Sequence, residues 1–180
     1  MIEVLAGALA AVLFLLVLAL VCALFLAATI CSGAPFVASR AEVISAMCEL
    51  AELKKGDRVV DFGCGNGAVV VYAARQYDVH AIGVELNPLL VLMAGMRARF
   101  EGVSDRTRFI RANIFVVDLP PCDVAFLYLL PKATAKIAAR LAKACTHARI
   151  ISNAFVIPGR APSSTRICGK TTIYRYDPIV

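Results

Sequence analysis

Histidine is scarce in this sequence. His80 and His147 are the only two in 180 residues and lie far apart, which excludes a histidine-built metal cluster. The seven cysteines, Cys22, Cys31, Cys48, Cys64, Cys122, Cys145 and Cys168, are odd in number and contain no C-x-x-C. That excludes a zinc site and a disulfide frame and leaves small hydrophobes in a reducing compartment. No repeat or low-complexity linker breaks the chain, so disordered and collagen-like classes fall away. Charge is almost missing from residues 1–39, which hold Glu3 alone, while 40–180 carry all 19 Lys+Arg and the other 12 acids. The pI is 9.1, but the basic residues are spread without interleaved aromatics, so no nucleic-acid partner is expected.

The uncharged start explains the mean hydropathy of +0.76. From Val4 to Ile30 every residue is apolar or small. A helix of that length crosses a hydrocarbon core of about 30 Å with room to tilt. A signal peptide instead needs a positive n-region and an apolar core of about 7–15 residues, and this segment has neither. Residues 1–31 are therefore expected to be a single-span transmembrane anchor, 32–39 a short junction loop and 40–180 one globular domain held near the membrane. Arg40, Lys54, Lys55 and Arg58 follow the span and nothing positive precedes it. The positive-inside rule then puts the domain on the cytoplasmic side, or the matrix side in a mitochondrion.

In the globular part, apolar residues at helical spacing predict an amphipathic helix over 40–53, with Ser39 and Glu42 as its capping box. Short apolar runs predict strands at 58–62, 79–85, 106–111, 123–130 and 149–153. Helices are expected between them at 67–76, from Asn87-Pro88 onward, and over 131–145. Thr165–Cys168 and Thr171–Tyr176 flank Gly169-Lys170 and read as a terminal hairpin. Alternation of strand and helix gives an α/β fold: a Rossmann-like, mostly parallel sheet with helices on both faces and a C-terminal antiparallel hairpin. Lys132, Lys136, Arg140 and Lys143 make a basic stripe on one helix face. It reads as a solvated face, with contact to anionic lipid as the sharper alternative.

Two acidic residues and a glycine loop carry the chemistry. Asp61-Phe-Gly63-Cys64-Gly65-Asn66-Gly67 joins a predicted strand to a predicted helix, where glycines let the backbone approach a ligand. The spacing G-x-G-x-x-A is met through Ala68, a weak dinucleotide signal. Asp61 argues against it, because a carboxylate at that strand end would face a cation and not a pyrophosphate. Glu85 ends the second strand, where it can accept both hydroxyls of a ribose, or be only a solvated helix cap. Asp118 and Asp123 precede the fourth strand and belong at the opposite end of the sheet.

The motifs D-F-G-C-G-N-G at 61–67, V-E-L-N at 84–87 and A-N-I-F at 112–115 resemble class I S-adenosylmethionine-dependent methyltransferases. Gly33–Ser39 after a single span, V-E-L-N-P at 84–88, F-L-Y-L-L-P at 126–131 and I-Y-R-Y-D at 173–177 resemble the small membrane-anchored protein-lysine methyltransferases. That family includes enzymes acting on the ATP synthase c-subunit and the adenine nucleotide translocase. The resemblance implies S-adenosyl-L-methionine as cofactor and a lysine of a membrane protein as substrate. It implies cofactor positions at Asp61, Gly63, Cys64, Gly65, Asn66, Gly67, Glu85, Leu86, Asn87, Asn113 and Ile114. In this reading Asp61 faces the methionine amino group, Glu85 the ribose, and Leu86 and Asn113 the adenine. Tyr128 is the candidate to contact the acceptor amine, with a core aromatic as the alternative. Phe36 is the candidate to close over the cofactor, with a membrane-interface aromatic as the alternative. The chain departs from the family pattern at Ala38, Asn66, Asn113 and Arg160, the last expected near the substrate mouth. Two other readings stay open: methylation of a lipid amine or other small molecule, and a tethered cofactor-binding module without turnover. Alanine at Asp61 or Glu85 is expected to weaken cofactor binding without unfolding the domain.

Overall fold

The computed structural model describes residues 2–31 and 37–178. The chain falls into two units, Met1–Phe36 and Val37–Val180. The first holds α1 (Ile2–Cys31), a helix of 30 residues. Its window Ala6–Ala23 has a mean hydropathy of 2.8 and is not buried by protein, so by length and composition it can cross a membrane.

The second unit begins with α2 (Ala41–Leu50). The expected capping box does not form. Arg40 is the N-cap and makes no side-chain hydrogen bond, since a guanidinium has no acceptor to offer the helix amides. The order then runs β1 (Arg58–Phe62), α3 (Ala68–Tyr77), β2 (His80–Glu85), α4 (Pro88–Phe100), β3 (Thr107–Arg111), β4 (Val124–Leu127), α5 (Pro131–Ala144), β5 (Arg149–Asn153), β6 (Ser164–Cys168) and β7 (Thr171–Tyr176). Asn87 caps α4 as its sequence predicts, its side chain accepting from the Leu89 N–H at 2.9 Å, with Pro88 at the first helical position. The fourth strand ends at Leu127, three residues earlier than its apolar run, because Tyr128–Leu130 leave the sheet for the proline that starts α5.

The seven strands form one sheet in the order β3-β2-β1-β4-β5-β7-β6. Five are parallel, and β7 lies antiparallel between β5 and β6. Strand alternation splits the core into two layers. Val59, Phe126 and Ile151 pack with Met47, Val70, Ala74 and Ala98 of α2, α3 and α4. Val60, Leu127 and Ile150 pack with Ile137 and Leu141 of α5. The chain moves outward from β1 in one direction through β2 and β3 and in the other through β4 and β5. Beyond the carboxyl ends at that reversal is where open α/β sheets bind ligands. The amino ends are closed differently: Asp123 accepts from the Arg58 backbone N–H at 2.8 Å and from its guanidinium at 3.0 Å. Asp123 thus lies away from the switch point, as expected.

Candidate active site

Asp61 occupies the fourth position of β1, beside Gly83 of β2. Its side chain points into the layer under α3 and is 6% exposed. Burial pushes its pKa up to about 7, and the nearby Glu85 carboxylate adds to the rise. Among the described residues no hydrogen bond helps to hold its charge.

Glu85 ends β2 and is engaged by the backbone around it. One carboxylate oxygen accepts from Gly65 N–H at 3.1 Å; the other accepts from Leu86 N–H at 2.8 Å and Asn87 N–H at 2.9 Å. It therefore ties the glycine loop to the start of α4. The loop is also fixed from below, because Gly63 and Cys64 both donate to the Val84 carbonyl, at 2.8 and 3.1 Å. Gly67 is the N-cap of α3 in a left-handed conformation, φ +73°. A Cβ there would lie 2.7 Å from Ala94 Cβ and 2.9 Å from the Phe109 ring. Gly67→Ala is expected to cost about 2–4 kcal/mol, from the left-handed backbone and the overpacking together, read as a lower thermal midpoint. An unchanged midpoint would mean that α4 yields freely at Ala94.

The remaining predicted positions divide. Leu86 is half-exposed beside the carboxylates and Asn66 is half-buried in the loop. Asn87 is buried, with its amide nitrogen lacking a partner among the described residues. Cys64 turns its side chain into the core, filling the space a Cβ on Gly83 would need, so only its backbone belongs to the loop. Asn113 lies just past β3, where the Ala112 N–H donates to the Glu85 carbonyl at 3.0 Å. The Asn113 side-chain oxygen accepts from Phe115 N–H at 2.9 Å, which folds the segment back on itself. Tyr128 follows β4 at the same end of the sheet and is 37% exposed, so it is not a core aromatic. Phe36 lies outside the described residues.

Arg160 does not lie at the substrate mouth where the sequence placed it. It stacks on the Tyr176 ring, 5.5 Å from its centroid, and donates to the Asp177 carbonyl. It shares a small cleft with Leu141, Cys145 and Ile150, at the amino end of β5 and away from the glycine loop. The segment after β5 crosses back along the sheet to reach β6, and this carries Arg160 from the expected substrate mouth.

Arg140 is a residue whose role the sequence did not reveal. Its guanidinium donates to the carbonyls of Ile114 and Val117, at 2.5 and 2.6 Å, and Lys136 sits 4.6 Å over the Phe115 ring. Half of the basic stripe on α5 is thus spent on holding the segment that contains Asn113 and Ile114. Only the i, i+4 spacing was visible in the sequence; the partner carbonyls come from a loop with no periodicity.

Among the described residues the Asp61 carboxyl is thus buried without a hydrogen bond, a second carboxylate ends the neighbouring strand, and Gly67 between them leaves no room for a Cβ. The sequence matches the family described as ANTKMT methyltransferase domain over residues 61–164. The chain belongs to that family. This methyltransferase is 31% identical over 130 residues to the protein-lysine N-methyltransferase of Saccharolobus islandicus, covering 71% of this chain and 81% of that one. It is 33% identical over 105 residues to the ATP synthase c-subunit lysine N-methyltransferase of Caenorhabditis elegans, covering 58% of this chain and 54% of that one. The chain therefore spans about half the length of the latter relative. Among solved structures it resembles an RNA methyltransferase from Salinibacter ruber in complex with S-adenosyl-L-homocysteine. That likeness has a TM-score of 0.77 and 31% identity, and covers 79% of this chain and 94% of that one. S-adenosyl-L-methionine is the cofactor of this methyltransferase.

Arg140→Ala is expected to leave the fold intact and weaken cofactor binding several-fold, since the segment after β3 loses two charge-assisted hydrogen bonds. Calorimetric titration reads this directly. Unchanged affinity would mean that the Asn113 turn holds the segment alone.

Proposed function

We propose that this methyltransferase methylates the ε-amino group of a lysine in a membrane protein, with α1 as a single-span anchor through residue 31. Residues 32–39 serve as a short junction, and 40–180 work on the cytoplasmic or matrix side. The observation that carries the reading is the buried Asp61–Glu85 pair beneath the glycine loop, in a chain of this family. The names of the two lysine-methylating relatives support the acceptor, and the apolar length of α1 supports the membrane.

The residues divide the work. Asp61 faces the cofactor's amino group, and Gly63, Gly65 and Gly67 admit its methionine portion. Glu85 has about one of four acceptor positions left for ribose hydroxyls after its three backbone bonds. Leu86 packs on the adenine and Asn113 addresses its edge, the side-chain oxygen keeping a second lone pair. The bound cofactor supplies a methyl group already activated on a sulfonium. What remains for the protein is alignment and dehydration, and alignment alone supplies roughly 7–11 kcal/mol of such a barrier. An unperturbed lysine titrates near ~10.4, so the site must also desolvate the amine until it gives up its proton. In this reading Tyr128, exposed just past β4, receives the amine through its hydroxyl.

The test is incubation of the full chain with labelled S-adenosyl-L-methionine and membranes. Label recovered in protein as methyl-lysine is the expected result. Label in the lipid extract would transfer the activity to a lipid amine, and label in RNA would follow the Salinibacter ruber likeness. No turnover by a chain that binds the cofactor would leave a tethered binding module.

A further inference from the structure

Helix α4 is built inside out. The side chains it buries are Leu90 and two alanines, Ala94 and Ala98. The large apolar residues point the other way: Leu92 is 60% exposed, Met96 47% and Phe100 89%, with Met93 also exposed. At 100° per residue these four share the face opposite the core, and Arg97 and Arg99 border it on either side. Both arginines are exposed, and among the described residues neither is in an ion pair. The helix contains no acid, and Glu101 just past it is engaged by Arg75.

We infer that the outer face of α4 is a membrane-docking face that lies in the interface of an anionic bilayer. Apolar side chains of this length enter the boundary between headgroups and acyl chains, and flanking guanidiniums bind lipid phosphates. Charge decides between this occupant and a second copy of the chain. An isologous dimer through α4 presents the same acid-free face twice, so its arginines meet only arginines. The basic stripe of α5 is a weaker candidate because Lys136 and Arg140 are occupied within the domain.

The chain lacks tryptophan, so a single introduced one reports its own position. Full-length Met96→Trp is reconstituted in vesicles of phosphatidylcholine and phosphatidylglycerol with brominated acyl chains. The expected result is a blue-shifted emission quenched roughly twofold or more, as for a residue buried in the interface. Lys170→Trp, in the β6–β7 turn, stays unquenched. Adding Arg97→Glu and Arg99→Glu reduces the quenching at position 96. Leu13→Trp reports the insertion of α1 separately, so failure of the anchor is seen apart from failure of α4. Leu92→Trp repeats the measurement should Met96→Trp fail to bind cofactor. Quenching at 96 and 92 no greater than at 170 overturns the inference whatever position 13 shows. A blue shift that follows protein concentration without quenching also overturns it, in favour of a second copy.

Discussion

Asp61→Asn is expected to yield a domain more stable than the parent at pH 8 that binds S-adenosyl-L-methionine about 10- to 100-fold more weakly. The stability gain follows from where the proton sits. In the fold this carboxyl holds its proton up to about pH 7 because burial and Glu85 oppose its charge. In the unfolded chain it releases it near ~3.9. Between those values the folded state binds more protons than the unfolded one, so stability falls as pH rises through that window and stays low above it. The full difference is about 4 kcal/mol. An asparagine amide carries no charge to bury and removes that slope, though it keeps its own desolvation cost. Affinity moves the other way, since the cofactor's ammonium loses its counter-charge. In the parent chain affinity should also rise with pH until Asp61 is ionised, then level off. Thermal midpoints of both proteins from pH 4 to 8 check the first part, and parallel profiles would show that Asp61 is ionised in the fold throughout.

Glu85→Ala should remove detectable cofactor binding and cost about 2–4 kcal/mol of stability, because it strips the acceptor from buried N–H groups of Gly65 and Asn87. Glu85→Gln keeps an acceptor oxygen for the helix amides and should recover much of the stability without the affinity. Denaturant midpoints and calorimetric titration of the two variants separate the roles. An alanine variant as stable as the parent would make this carboxylate a ligand group alone.

That second expectation differs from what the sequence offered, where substitution at either acid was to spare the fold. The pattern of strand ends placed Asp61 and Glu85 correctly at adjacent carboxyl termini. It could not reveal that Glu85 is also a knot for the backbone, since backbone amides leave no trace in residue identity. The Asn87-Pro88 cap was legible because both residues act locally, whereas Ser39 failed as a cap because the helix starts one residue later, after Arg40. Arg160 was misplaced because its position depends on how a long loop crosses the sheet. The outer face of α4 is not legible in the sequence because apolar residues lie on every side of the helix; only the packing tells which side is covered.

The buried thiols have a consequence of their own. Cys48 and Cys64 lie in the layer beneath α2 and α3, and Cys122 and Cys145 in the layer beneath α5. Burial pushes the Cys48 thiol up to about 12 and raises Cys64 and Cys122 as well. Only the thiolate reacts with alkylating reagents. Each modification must therefore await an excursion that exposes its own layer to water. The two faces of the sheet thus carry separate clocks, and whether the cofactor slows both, or only the one beneath the glycine loop, measures how far through the domain its grip extends.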